Sequence, residues 1–122
     1  MLSLALLLSG CAGVPQADDP ETLVKQRAQQ RLDLLMAGRV EESFRYTTPA
    51  YQQGRGLAFY TRAYAGVSSW NKAEVTGVNC TGARCEVSLR VRYPAIRGGF
   101  ENERSLDERW IEVDGNWYLY LR

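Results

Sequence analysis

Cys85-Glu86-Val87-Ser88-Leu89-Arg90-Val91-Arg92-Tyr93 alternates apolar and polar side chains at every step. A period of two puts the cysteine, valines, leucine and tyrosine on one face of a β-strand and the charged residues and serine on the other. The strand therefore has one packed side and one solvated side. The same period holds from about Trp70 to the end of the sequence. Asn102 to Val113 reads as a long strand, and Asp114-Gly115 as a two-residue hairpin turn into Trp117-Tyr118-Leu119-Tyr120-Leu121. Cys80 and Cys85 bracket Thr81-Gly82-Ala83-Arg84, a four-residue connection that brings their β-carbons close to bridging distance. The pair reads as a structural disulfide. A metal site needs more ligands than two thiols, and a redox-active pair is usually spaced C-x-x-C rather than C-x4-C.

Upstream of Trp70 the period lengthens to that of a helix. Asp18-Asp19-Pro20-Glu21 supplies a capping carboxylate, a proline suited to the first turn and acidic charge for the positive dipole end. The helix it starts is expected to run from about Pro20 to Ala37. Val24, Ala28, Leu32, Leu35 and Met36 form its apolar stripe, with Lys25, Gln29 and Asp33 outside it and Gly38 as the stop. Val40 and Phe44 then stand one turn apart in a short helix that Thr47-Thr48-Pro49 closes. A third helix, about Gly56 to Ala65, puts Leu57, Tyr60 and Tyr64 on one side before Gly66 ends it. Helices followed by a strand meander give an α+β class, with the helices on one face of an antiparallel sheet in a single domain over 20–122.

The 122 residues are 45% hydrophobic and 24% charged, an ordinary globular composition that supports one core without a metal. Fifteen basic and 14 acidic residues alternate to a net charge of +1, so no broad positive field exists to attract a nucleic acid. The sequence contains no histidine, which removes imidazole as base or metal ligand. No cofactor is implied.

Met1 to Ser9 reads MLSLALLLS, too short for a bilayer span and suited to the apolar core of a signal peptide. It ends in Leu8-Ser9-Gly10-Cys11, which resembles the lipobox of bacterial lipoproteins. That resemblance implies a signal peptide over 1–10, a diacylglycerol on the Cys11 thiol, and a tether over 11–19. It also makes the membrane a partner through the lipid anchor. No Lys or Arg lies between Met1 and Leu8, so either the α-amino group is the only positive charge of the leader or the natural start lies upstream. Ala12 and Gly13 follow the cysteine in place of the aspartate that favours inner-membrane retention in such lipoproteins. The resemblance thus implies an outer-membrane protein facing the periplasm, where Cys80 and Cys85 would be oxidised.

Ala37-Gly38-Arg39-Val40-Glu41-Glu42-Ser43-Phe44 with Thr48-Pro49-Ala50-Tyr51, and Trp110-Ile111-Glu112-Val113-Asp114-Gly115-Asn116-Trp117-Tyr118, resemble the second-helix segment and the closing hairpin of the nuclear-transport-factor-2-like (SnoaL-like) family. The resemblance implies a cone: helices over a curved antiparallel sheet, enclosing a pocket for which Tyr46, Tyr51, Tyr60, Tyr64, Trp70 and Trp110 are candidate lining residues. The family is nearly silent on activity, since it includes isomerases, dehydratases, carriers and interaction domains. Catalysis in such a cone needs an inward carboxylate, and Asp107 and Glu108 lie on opposite faces of one strand, so one points inward. Neither matches a catalytic motif. The leading expectation is a non-enzymatic envelope lipoprotein that binds a protein partner or a small apolar ligand. A periplasmic isomerase-like or dehydratase-like enzyme is the alternative. A third is an accessory subunit of an envelope assembly, contacting its partners through the sheet edge or through Arg90 and Arg92.

Overall fold

The computed structural model describes residues 19–122, so the leader, the lipobox and Cys11 lie outside the described residues. Helix α1 (Pro20–Met36) is followed by α2 (Val40–Phe44), α3 (Pro49–Gly54), α4 (Gly56–Tyr64) and a 3-10 turn at Ala65–Ser69. Strands β1 (Lys72–Thr81), β2 (Arg84–Tyr93), β3 (Asn102–Val113) and β4 (Asn116–Leu119) form an antiparallel meander in sequence order. The class is α+β, helices first and then a curved four-stranded antiparallel sheet.

The first helix starts as its sequence dictates. The Asp19 side chain accepts from the Thr22 amide at 2.8 Å, and Pro20 occupies the first turn, where a missing N–H costs nothing. Hydrogen bonding to Thr22 holds the Asp19 carboxyl below its usual range. Val24, Ala28, Leu32 and Leu35 are buried, and so is Arg31.

Thr47-Thr48-Pro49 both ends one helix and begins another, which corrects the reading of this stretch as a stop alone. Thr47 Oγ1 donates to the Phe44 carbonyl at 2.7 Å, closing α2, while Thr48 Oγ1 accepts from the Tyr51 amide at 3.2 Å and caps α3. A proline after a threonine breaks the helix before it but is preorganised for the first turn of the next. Four helices therefore precede the sheet where three were expected.

In β2, Cys85, Val87, Leu89 and Val91 are buried and their neighbours exposed, as the alternation requires. The connection to β1 is tighter than the four residues expected. Thr81 pairs with Arg84, so only Gly82 and Ala83 turn, and Gly82 takes the positive φ of 60° that the first position of a II′ turn requires. Cys80 and Cys85 are direct cross-strand partners joined by a disulfide. Asp114 (φ 50°) and Gly115 (φ 82°) form the primed turn between β3 and β4. A register shift between Val75 and Gly77 marks a bulge in β1.

Edge strand β1 is covered by α1. Gln29 Oε1 accepts from the Val75 amide at 2.8 Å, and its Nε2 donates to the Ala73 carbonyl at 3.1 Å. One side-chain amide thus stands in for a neighbouring strand at this edge. The main core joins Val24, Ala28 and Leu32 of α1 to the inner face of the sheet, centred on Trp110. A smaller core of Leu35, Tyr51, Tyr60 and Val67 lies under the other helices.

Candidate functional site

Between the two cores lies a cavity of about 230 Å³. Leu32 and Leu35 of α1, Tyr64 of α4, Val67 and Trp70 border it from the helical side. Leu89, Leu106, Glu108, Leu119 and Leu121 border it from the sheet and the residues after β4. The walls are mainly apolar because they are the inward faces of an amphipathic helix and of alternating strands.

One ion pair breaks that lining. Arg31 Nη1 donates to Glu108 Oε2 at 2.7 Å, with the arginine side chain 1% and the glutamate side chain 12% exposed. The other Glu108 oxygen accepts from the Trp110 indole at 3.2 Å. Arg31 Nε donates to the Tyr60 hydroxyl at 3.1 Å. The Ser43 hydroxyl gives its proton to the Val40 carbonyl at 2.6 Å, so at 2.8 Å from Tyr60 its oxygen accepts the phenol proton. Direction is therefore fixed along Arg31, Tyr60, Ser43 and Val40. Arg31 Nη2 has no hydrogen-bond partner. The ring of Tyr64 lies over the guanidinium, 4.7 Å from its central carbon.

Burial alone pulls the Arg31 pKa down, but Glu108, Tyr60 and Tyr64 reverse that and leave it above its usual value. The guanidinium is charged throughout the physiological range. Burial pushes the Tyr64 phenol above its usual range, against the opposing pull of Arg31.

The six candidate lining aromatics divide. Tyr64 and Trp70 border the cavity. Tyr60 is buried behind Arg31 and bonds it. Tyr51 belongs to the smaller core, edge-on to Tyr60 with ring centroids 6.3 Å apart. Trp110 fills the main core, and Tyr46 packs edge-on against it at 6.5 Å beneath the Arg27 guanidinium. Tyr46, Tyr51, Tyr60 and Trp110 do not border the cavity. Of the strand carboxylates, Glu108 is the inward one, while Asp107 is exposed; both border the cavity, and so does Arg109. Arg90 lies on the solvated face, 3.2 Å from Glu103, and Arg92 is exposed beside it.

Sequence reasoning did not single out Arg31, although a signal was present. Residues 24, 28, 31 and 35 follow the spacing of a helical seam, and the third of them is charged. Among the described residues no group of three or more Cys, Asp or Glu side chains could hold a metal ion, and no helix is long and apolar enough to cross a membrane.

No family model matches the sequence, and no curated protein matches it. Solved structures do match. A SEC-C motif containing protein from Rhodopseudomonas palustris superposes with a TM-score of 0.60 at 16% identity, over 78% of this chain and 73% of that one. A SEC-C motif containing protein from Psychrobacter arcticus gives 0.63 at 12% identity, over 86% of this chain and 62% of its own length. A protein named an NTF2-like transpeptidase, from Campylobacter jejuni, gives 0.60 at 13% identity, over 86% of this chain and 100% of that one. At such identities the likeness concerns the fold and not the activity. With its helices over a curved antiparallel meander and these neighbours, the described chain has a nuclear-transport-factor-2-like fold.

Proposed function

We propose that this protein is a lipid-anchored envelope protein whose folded domain binds a small, mainly apolar molecule without transforming it. The observation that carries the binding role is the cavity of about 230 Å³ between α1 and the sheet. Its volume lies above the ~150 Å³ of a void that holds benzene and just below the ~300–1,000 Å³ of drug-sized pockets. Its leucines and Trp70 reward any ligand that removes apolar surface from water, at about 25 cal/mol per Å².

Two carboxylates border the cavity, the exposed Asp107 and the inward Glu108, and the bonding of the inward one supports binding over catalysis. A general base must be free to take a proton from the substrate. Glu108 instead has one oxygen on the Arg31 guanidinium and the other on the Trp110 indole. The transpeptidase name of the Campylobacter neighbour is not carried over. Among the described residues the two cysteines, Cys80 and Cys85, are bonded to each other, and the sequence has no histidine, so the described residues assemble no cysteine nucleophile with an imidazole base.

Placement in the envelope rests on Leu8-Ser9-Gly10-Cys11, and the disulfide is in keeping with it, because such bonds persist in oxidising compartments. Labelled palmitate should enter the wild-type protein and not Cys11→Ala. Incorporation that survives the substitution would remove the anchor from that thiol. Solvent extraction of protein purified from its native envelope should release a bound small molecule that is missing from Leu106→Trp, which fills the cavity. Equal yields from both would place the molecule elsewhere.

A further inference from the structure

We infer that Arg31 Nη2 is the polar anchor of the cavity, and that the ligand is a neutral, mostly hydrocarbon molecule carrying one carbonyl or hydroxyl oxygen rather than a carboxylate. The inference rests on the binding role proposed above and specifies its chemistry.

A guanidinium offers five N–H donors in one plane. In Arg31, Nε is used by Tyr60 and Nη1 by Glu108, whereas both Nη2 hydrogens are unmet although the side chain is 1% exposed. An unmet donor on a buried charge carries the full penalty of its lost hydration, so few survive in folded proteins without a use. Arg31 also borders the cavity, whose other walls carry six leucines together with Asp107, Glu108 and Arg109. An oxygen acceptor on an otherwise apolar ligand would satisfy both the donor and the walls.

Charge decides between acceptors. Arg31 is already neutralised by Glu108 at 2.7 Å. A carboxylate ligand at Nη2 would add a negative charge beside Glu108, and Arg109, the other cation on the cavity, is already paired with Glu86 at 3.1 Å, so the desolvation of the anion goes uncompensated. A carbonyl or hydroxyl oxygen takes the hydrogen bond and leaves the balance intact. Nη2 is closed off from solvent, so a side chain beside it, such as Tyr64 whose ring lies over the guanidinium at 4.7 Å, must shift for a ligand oxygen to reach it. Such rotamer changes are common on binding.

Acetophenone, ethylbenzene and benzoate share one ring size and differ in oxygen and charge. Titrated into the wild-type protein and followed by NMR, acetophenone should bind about tenfold or more tighter than ethylbenzene, as expected for a hydrogen bond to a charged donor. Benzoate should bind more weakly than acetophenone. Acetophenone should shift the Arg31 guanidinium N–H resonances downfield, and ethylbenzene should not. In Arg31→Met/Glu108→Gln, which removes both charges together, the preference for acetophenone should fall to about twofold or less while ethylbenzene binding persists. Equal affinities in the wild type would overturn the anchor and leave the cavity a binding site. Tightest binding by benzoate would overturn the charge argument, and binding of none of the three would overturn the inference together with the binding role itself.

Discussion

Arg31 on the first helix and Glu108 on the third strand are 77 residues apart in sequence and 2.7 Å apart in space. Their pair joins the helical layer to the sheet at the edge of the cavity. Removing one partner strands the other as a buried charge, which costs about 3–5 kcal/mol. Arg31→Met and Glu108→Gln should each destabilise by that order, while the double variant should lose far less than the sum. Urea unfolding of all four proteins, compared at constant m, measures the coupling. Additive losses would show that the two charges do not depend on each other.

Gln29 guards the open side of β1. With Gln29→Ala, the Val75 amide and the Ala73 carbonyl lose their only side-chain partner from α1, at about 1–2 kcal/mol. Hydrogen exchange should accelerate at Val75 well beyond the change at Val87 in the central strand. Uniform acceleration would indicate global destabilisation and no local clamp.

The Cys80–Cys85 bond closes a loop with a sequence separation of 5, so chain entropy gives it about 2 kcal/mol of stability. Reduction should lower the urea midpoint by that order and leave the fold intact, since Trp110 and its neighbours form the core without it. Unfolding on reduction would mean that the core is weaker than its burial implies.

Much of the fold was legible in the sequence, and the exceptions have physical causes. The strict alternation of 85–93 fixed the strand and its buried face, and Asp114-Gly115 fixed the last turn, because both are local constraints. Helix α3 was missed because Pro49 stops the helix before it and also starts the helix after it. The site was hardest. Aromatic identity does not say whether a ring faces a cavity, as with Tyr64, or fills a core, as with Trp110. Arg31 occupies a seam position that the helical period exposes, but only the folded topology brings Glu108 to it.

Tyr64 provides a pH readout. Burial disfavours its phenolate, so the folded state holds the phenol proton more tightly than the unfolded chain does. Its contribution is complete below the ordinary tyrosine range and is lost as pH rises through the raised folded value. A difference titration of wild type against Tyr64→Phe should show one phenol ionising later than a free tyrosine. Ionisation at the ordinary value would show the ring open to water.

Binding of an apolar molecule between the helices and the sheet is tested most directly by intermolecular NOEs from ethylbenzene to the methyl groups of the protein. Contacts to Leu32, Leu35, Leu106 and Leu121 at saturation are the expected result. Their absence, with contacts only to exposed methyl groups such as those of Ile96, would contradict the account.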